Sequence, residues 1–104
     1  MFTRKALNTH VENFLKELAE SGWKPDEAYL FGSYVNGNPK ENSDIDLAIW
    51  HKKFCGVGFI DFEPFIRIVS KYHPIELHTF NTLETDNYFG EEIKKMGIKL
   101  NISQ

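Results

Sequence analysis

The stretch Leu30–Ile49, LFGSYVNGNPKENSDIDLAI, decides how the chain is read. An apolar run ends at Gly32-Ser33, and ten residues later come Asp44 and Asp46, separated only by Ile45. From Asp44 to Trp50 the pattern alternates. Ile45, Leu47 and Ile49 share one face, and Asp44, Asp46, Ala48 and Trp50 share the other, which is the period of a strand. The two aspartates are then neighbours on one face, with Cα atoms about 6.6 Å apart at a rise of about 3.3 Å per residue. Aspartate is depleted in strands, and like charges on a partly dry face repel and raise each other's pKa. Such a pair costs energy unless water solvates the face or a cation is held there. Gly32 lets a ligand come close to the backbone. Ser33 opens a helical turn whose free N–H groups and hydroxyl attract an anion. The joint order of apolar strand, Gly-Ser, loop and Asp-Ile-Asp strand places an anion cradle beside a pair of metal-binding carboxylates.

Working outward, Leu7, Val11, Phe14, Leu15 and Leu18 form one face of an amphipathic helix over about 5 to 21, with Thr3 as its cap and Gly22 as its stop. Ala28–Phe31 reads as a buried strand, Tyr34–Asn36 as one helical turn closed by Gly37, and Asn38–Ser43 as a loop around Pro39. Phe59, Phe62, Ile66, Val69 and Tyr72 give a helix over 59–72, with Pro64 as its kink or its true start. Ile75–Phe80 alternates as a third strand carrying Glu76 and His78 on one face. A loop at Asn81–Asp86, a helix at Tyr88–Met96 stopped by Gly97, and a short strand or tail at Ile98–Ile102 complete the chain. This order implies one α+β domain over residues 1–104, a small sheet covered by helices.

Composition sets the outer bounds. The 104 residues are 41% apolar and 26% charged, with a formal net charge of −3. That suffices for one core, and it argues against bulk nucleic-acid binding, which depends on Lys and Arg. A single cysteine, Cys55, excludes an internal disulfide and a Cys-rich zinc site. No apolar run approaches the roughly 20 residues of a membrane span, so a soluble cytoplasmic protein is expected. Gly56-Val57-Gly58 begins like a dinucleotide fingerprint, but Asp61 stands where its third glycine belongs. His78 reads as an ordinary strand histidine, and Phe59, Phe62, Phe65, Tyr88 and Phe89 read as core.

The segment FGSYVNGNPKENSDIDLAI resembles the signature of the DNA polymerase beta nucleotidyltransferase superfamily, and within it the minimal nucleotidyltransferases. The resemblance runs from about Leu30 to Phe80 and implies a palm-like mixed sheet. Residue by residue, it implies nucleotide binding at Gly32 and Ser33, and catalytic, metal-binding carboxylates at Asp44, Asp46 and Glu76. It further implies two Mg²⁺ ions, ATP or another nucleoside triphosphate as donor, and transfer of a nucleoside monophosphate to a hydroxyl. A helical HEPN-type toxin is the implied partner and acceptor. One departure stands out. Many members carry Arg or Lys before the second glycine, where this chain has Asn36 before Gly37, with Lys40 further along the loop. That substitution favours a rival reading, a catalytically weak antitoxin or regulatory binding module of the same fold.

Overall fold

The computed structural model describes residues 2–40 and 43–102; Glu41 and Asn42, which fall in the expected loop, and the chain ends lie outside the described residues. The first helix, α1 (Arg4–Glu20), begins where Thr3 accepts a hydrogen bond from the Ala6 N–H at 3.1 Å, and it buries Leu7, Val11, Phe14, Leu15 and Leu18 as its spacing requires. Then come β1 (Glu27–Phe31), the short α2 (Ser33–Asn36) and β2 (Ile45–His51). β2 starts at Ile45, so Asp44 is the residue before the strand rather than its first member.

The crossover from β2 to β3 (Ile75–Asn81) departs from the single helix expected over 59–72. It is built from α3 (Gly58–Asp61), a 3-10 turn (Glu63–Phe65) and α4 (Ile66–Lys71). Pro64 lies in the 3-10 turn and has no N–H to extend an α-helix through it. Asp61 supplies the other reason. Its buried carboxylate accepts hydrogen bonds from the Cys55 and Gly56 N–H groups, at 2.9 and 3.0 Å, and from the Thr79 hydroxyl at 2.7 Å. Those bonds fasten the 55–61 loop to β3. The last elements are α5 (Tyr88–Met96), capped by the Asn87 side chain, and β4 (Ile98–Lys99), at the head of the expected tail.

The four strands lie in the order β3-β2-β1-β4; β1 runs antiparallel to both neighbours, and β2 and β3 are parallel. One face meets α1 and the crossover, and Ala28, Leu30, Ile45, Leu47, Ile49, Ile75 and Leu77 form the main core there with the α1 side chains. The opposite face carries a smaller cluster of Ala48, Trp50, Phe80 and Ile93, in which the Trp50 and Phe80 rings stack at 4.8 Å. Ile93 of α5 belongs to this cluster, so α5 covers that end of the face; at the other end Asp46 and His78 are only half-buried and Glu76 is exposed. Of the aromatics read as core, Phe65 is buried and Phe62 packs against the core, whereas Phe59, Tyr88 and Phe89 are exposed. In α5 it is Gly90 and Ile93 that face the sheet, which leaves Tyr88 and Phe89 toward solvent. No helix among the described residues is long and apolar enough to cross a membrane.

Two consequences are measurable. Asp61→Ala leaves the Thr79 hydroxyl and two loop N–H groups without their acceptor, and is expected to cost about 3 kcal/mol in chemical denaturation. Glu17 accepts from Lys71 Nζ at 2.6 Å and from the Tyr72 hydroxyl at 2.9 Å, joining α1 to α4. These hydrogen bonds hold its carboxyl below the usual range. A depressed folded-state pKa adds stability above the unfolded value, and that stability is lost as pH falls through the folded one. Glu17 in turn holds the Lys71 ammonium and the Tyr72 hydroxyl above their usual ranges, stability that is lost as pH rises through their folded values. Glu17→Gln is therefore expected to flatten both the acid and the alkaline limb of the Tm–pH curve.

Candidate active site

Three chain segments meet at the uncovered part of the sheet: the β1–α2 turn, the entry to β2 and the entry to β3. Register brings them together. Phe31 pairs with Asp46, Asp46 with Glu76, and Ala48 with His78. Partners across a strand pair point to the same face, so Asp46 and Glu76 stand side by side with His78 one step along. Ligand atoms of these three residues all lie within 4.8 Å of one another. His78 Nε2 is 3.6 Å from Asp46 Oδ1 and 3.7 Å from Glu76 Oε1. Both distances exceed hydrogen-bonding range. Nε2 is sealed from solvent and has no hydrogen-bond partner among the described residues. The imidazole is held by edge contacts from Phe31 at 5.1 Å and Phe89 at 5.9 Å.

Asp44 takes a different place from the one its spacing suggests. It is exposed at the mouth of β2, outside the tight donor group but near enough to Glu76 to act on its carboxyl. Burial, this contact with Asp44 and the charge of Asp46 push the Glu76 carboxyl upward, with His78 opposing them. Burial also raises the Asp46 carboxyl; His78 opposes this and Asp44 adds to it. Asp44, Asp46 and Glu76 thus converge, but the tight donor group contains His78 where Asp44 was expected. The sequence held one signal for His78, its position two residues after Glu76 on the same strand face.

Gly32 fits the site through its missing side chain. Its φ of 78° and ψ of −152° belong to a region that glycine alone enters freely. A Cβ there would collide with the Asp46 carboxylate, lying 3.0 Å from its Cγ and nearer still to Oδ2. The backbone turn therefore rests directly on Asp46, and Ser33 follows at once. The Ser33 hydroxyl has no protein partner among the described residues. Asn36 and Lys40 are exposed, the latter beside a tight turn in which the Lys40 N–H donates to Ser43 Oγ at 2.6 Å.

Two carboxylates and an imidazole with an orphaned, buried nitrogen form a donor set that fits a divalent cation. Gly32→Ala must displace Asp46, and is expected to abolish divalent-ion binding by calorimetry and to cost about 2–4 kcal/mol of stability. Gly37→Ala is the control. Its φ is also positive, at 84°, but its Cβ meets nothing within 4 Å, so it should cost about 1 kcal/mol and leave ion binding intact.

Comparison with known proteins agrees with this geometry. No curated protein gives a significant match. A solved structure that the fold resembles is a Sulfolobus solfataricus crystal structure at 1.40 Å, of a protein whose assignment as a nucleotidyltransferase is itself inferred. The TM-score is 0.56 at 21% identity, over 88% of this chain and 75% of that one. The family model describing the nucleotidyltransferase domain matches residues 11–100, which take in the Gly-Ser turn, both aspartates and the third acidic strand. The chain belongs to the nucleotidyltransferase domain family.

Proposed function

We propose that this domain transfers a nucleoside monophosphate, AMP from ATP in the first instance, to a hydroxyl acceptor. The observation that carries the reading is the in-register pairing of Asp46 with Glu76 beside the Gly32-Ser33 turn, with Asp44 against Glu76. In this reading Asp44, Asp46 and Glu76 hold two Mg²⁺ ions, which supply neutralisation of the triphosphate and a lowered pKa for the acceptor hydroxyl. Gly32 leaves the backbone bare enough for a phosphate to approach, and the Ser33 hydroxyl donates to a β- or γ-phosphate oxygen. The acceptor oxygen bonds to the α-phosphorus as the bond to the bridging oxygen breaks, and pyrophosphate departs. Glu76 takes the hydroxyl proton. It is the most exposed of the tight group and its carboxyl is already pushed upward, both of which suit a proton acceptor facing an incoming substrate.

The acceptor is proposed to be a partner protein of the helical HEPN type, in a cytoplasmic setting where nucleoside triphosphates are plentiful. Support comes from large apolar side chains left in water: Phe59 and Tyr88 are each 78% exposed and Leu83 is 73% exposed. Asn36, exposed where many relatives carry a basic residue, favours the rival reading of a binding module with little catalysis.

Labelled ATP incubated with the domain, with and without a helical partner, separates the two readings. Transfer of label that requires a divalent ion and falls at least about 100-fold in Asp46→Asn is the expected result. Complex formation without any transfer overturns the enzymatic reading. The same variant gives a second readout. Burial already disfavours the charge on Asp46, so Asp46→Asn should raise the Tm of the metal-free protein at neutral pH and remove the further rise caused by added divalent ion.

A further inference from the structure

We propose that His78 is a direct nitrogen ligand of the cation bound at Asp46 and Glu76, and that this ligand makes the site favour a divalent transition metal over Mg²⁺. The inference rests on the reading of the carboxylates as metal-binding, and adds to it the identity of a ligand and the class of metal.

Four observations carry it. First, β3 pairs with β2 so that His78 falls on the same face as Glu76 and Asp46, beside Ala48. Second, Nε2 is buried and without a hydrogen-bond partner among the described residues. A buried polar atom left without a partner costs about 1–3 kcal/mol, and bonding to a cation removes that cost. Third, the spacings suit ligands better than hydrogen bonds. Two donors about 2.1 Å from one ion stand about 3.0 Å apart at adjacent corners of an octahedron and about 3.4 Å apart on a tetrahedron. The observed 3.6 and 3.7 Å need only a small inward rotation of the side chains. Fourth, Phe31 and Phe89 pack against the ring and limit its reorientation, so the nitrogen is positioned in advance.

The choice of metal follows from the donors. Mg²⁺ prefers an all-oxygen shell and keeps several waters, whereas imidazole suits the transition metals. A site of two carboxylates and one imidazole keeps enough oxygen for Mg²⁺ to bind, and its nitrogen gives the divalent transition metals an advantage that is smallest for Mn²⁺, at the foot of their affinity order. The alternative role for His78 is a protonated counter-ion that holds the two carboxylates together by charge and is displaced when a cation arrives.

Mn²⁺ is the probe. The full chain is titrated with Mn²⁺ by electron paramagnetic resonance, Mg²⁺ is used as competitor, and pulsed measurements look for ¹⁴N coupling to the bound ion. The expected results are ¹⁴N coupling in the wild type, tighter binding of Mn²⁺ than of Mg²⁺, and loss of the coupling in His78→Gln. Mn²⁺ affinity in that variant should drop on the order of tenfold or more, the range seen even for groups that only support a ligand. Mg²⁺ affinity should change much less. Mn²⁺ bound in an Asp46-dependent manner without ¹⁴N coupling overturns the role of His78 and leaves the carboxylate site standing. Equal weakening of Mn²⁺ and Mg²⁺ in His78→Gln overturns the metal preference, and tighter binding of both overturns ligation by His78 and points to the counter-ion. Mn²⁺ binding unchanged in Asp46→Asn overturns the reading of the carboxylates, and the proposal with it. Whether a nitrogen binds the ion is read on the wild type, and that result does not depend on whether a variant folds.

Discussion

The parallel pairing of β2 with β3 is the constraint on which the site depends. It fixes Asp46 opposite Glu76, two acidic side chains on one face and on adjacent strands. A slip of one residue would turn Glu76 toward the main core and put Leu77 in its place. The register is held against that slip by apolar residues that alternate with the site residues. Ile45, Leu47 and Ile49 on β2 and Ile75 and Leu77 on β3 are buried beneath α1 and the crossover. The same alternation that drives folding therefore sets the positions of the charged groups. What it cannot do is make them comfortable. Asp46 and Glu76 both have carboxyls pushed upward by burial and by their acidic neighbours, a cost kept in place by the packing below.

Much of this was legible in the sequence, for identifiable reasons. Thr3, the α1 stripe and the end of α5 at Gly97 fall where spacing and capping rules put them, because short-range interactions dominate there. Gly32-Ser33 and the two aspartates declare themselves because glycine and paired acids are costly in a strand context and need a reason. His78 does not declare itself. A histidine in a strand is unremarked until the partner strand is known, and the pairing of β3 with β2 spans a crossover whose register no local pattern encodes. The DxD spacing likewise places Asp44 and Asp46 on one face, but it cannot show that β2 begins only at Ile45 and that Asp44 turns to Glu76.

The crossover shows a second limit. Apolar spacing from Phe59 to Tyr72 fits a helix, yet the chain breaks it twice. Pro64 was visible as a disturbance. The decisive partner was Asp61, whose three hydrogen bonds tie residues 55 and 56 to Thr79. Those contacts join residues up to 18 apart in sequence, beyond the reach of periodicity. The exposure of Phe59, Tyr88 and Phe89 has the same origin. Helical spacing says which side chains share a face, and only the packing of the whole domain says whether that face is covered.

Asp61 also ties the edge of the sheet that carries the candidate site to the rest of the molecule. Among the described residues β3 is a border strand, paired with β2 on one side only, and it carries both Glu76 and His78. A border strand opens more readily than an inner one, and here opening would separate Glu76 and His78 from Asp46. The carboxylate of Asp61, at the end of α3, grips Thr79, on the face opposite Glu76 and His78. The chain thus rivets its border strand from behind and leaves the face with Asp46, Glu76 and His78 clear of that anchor.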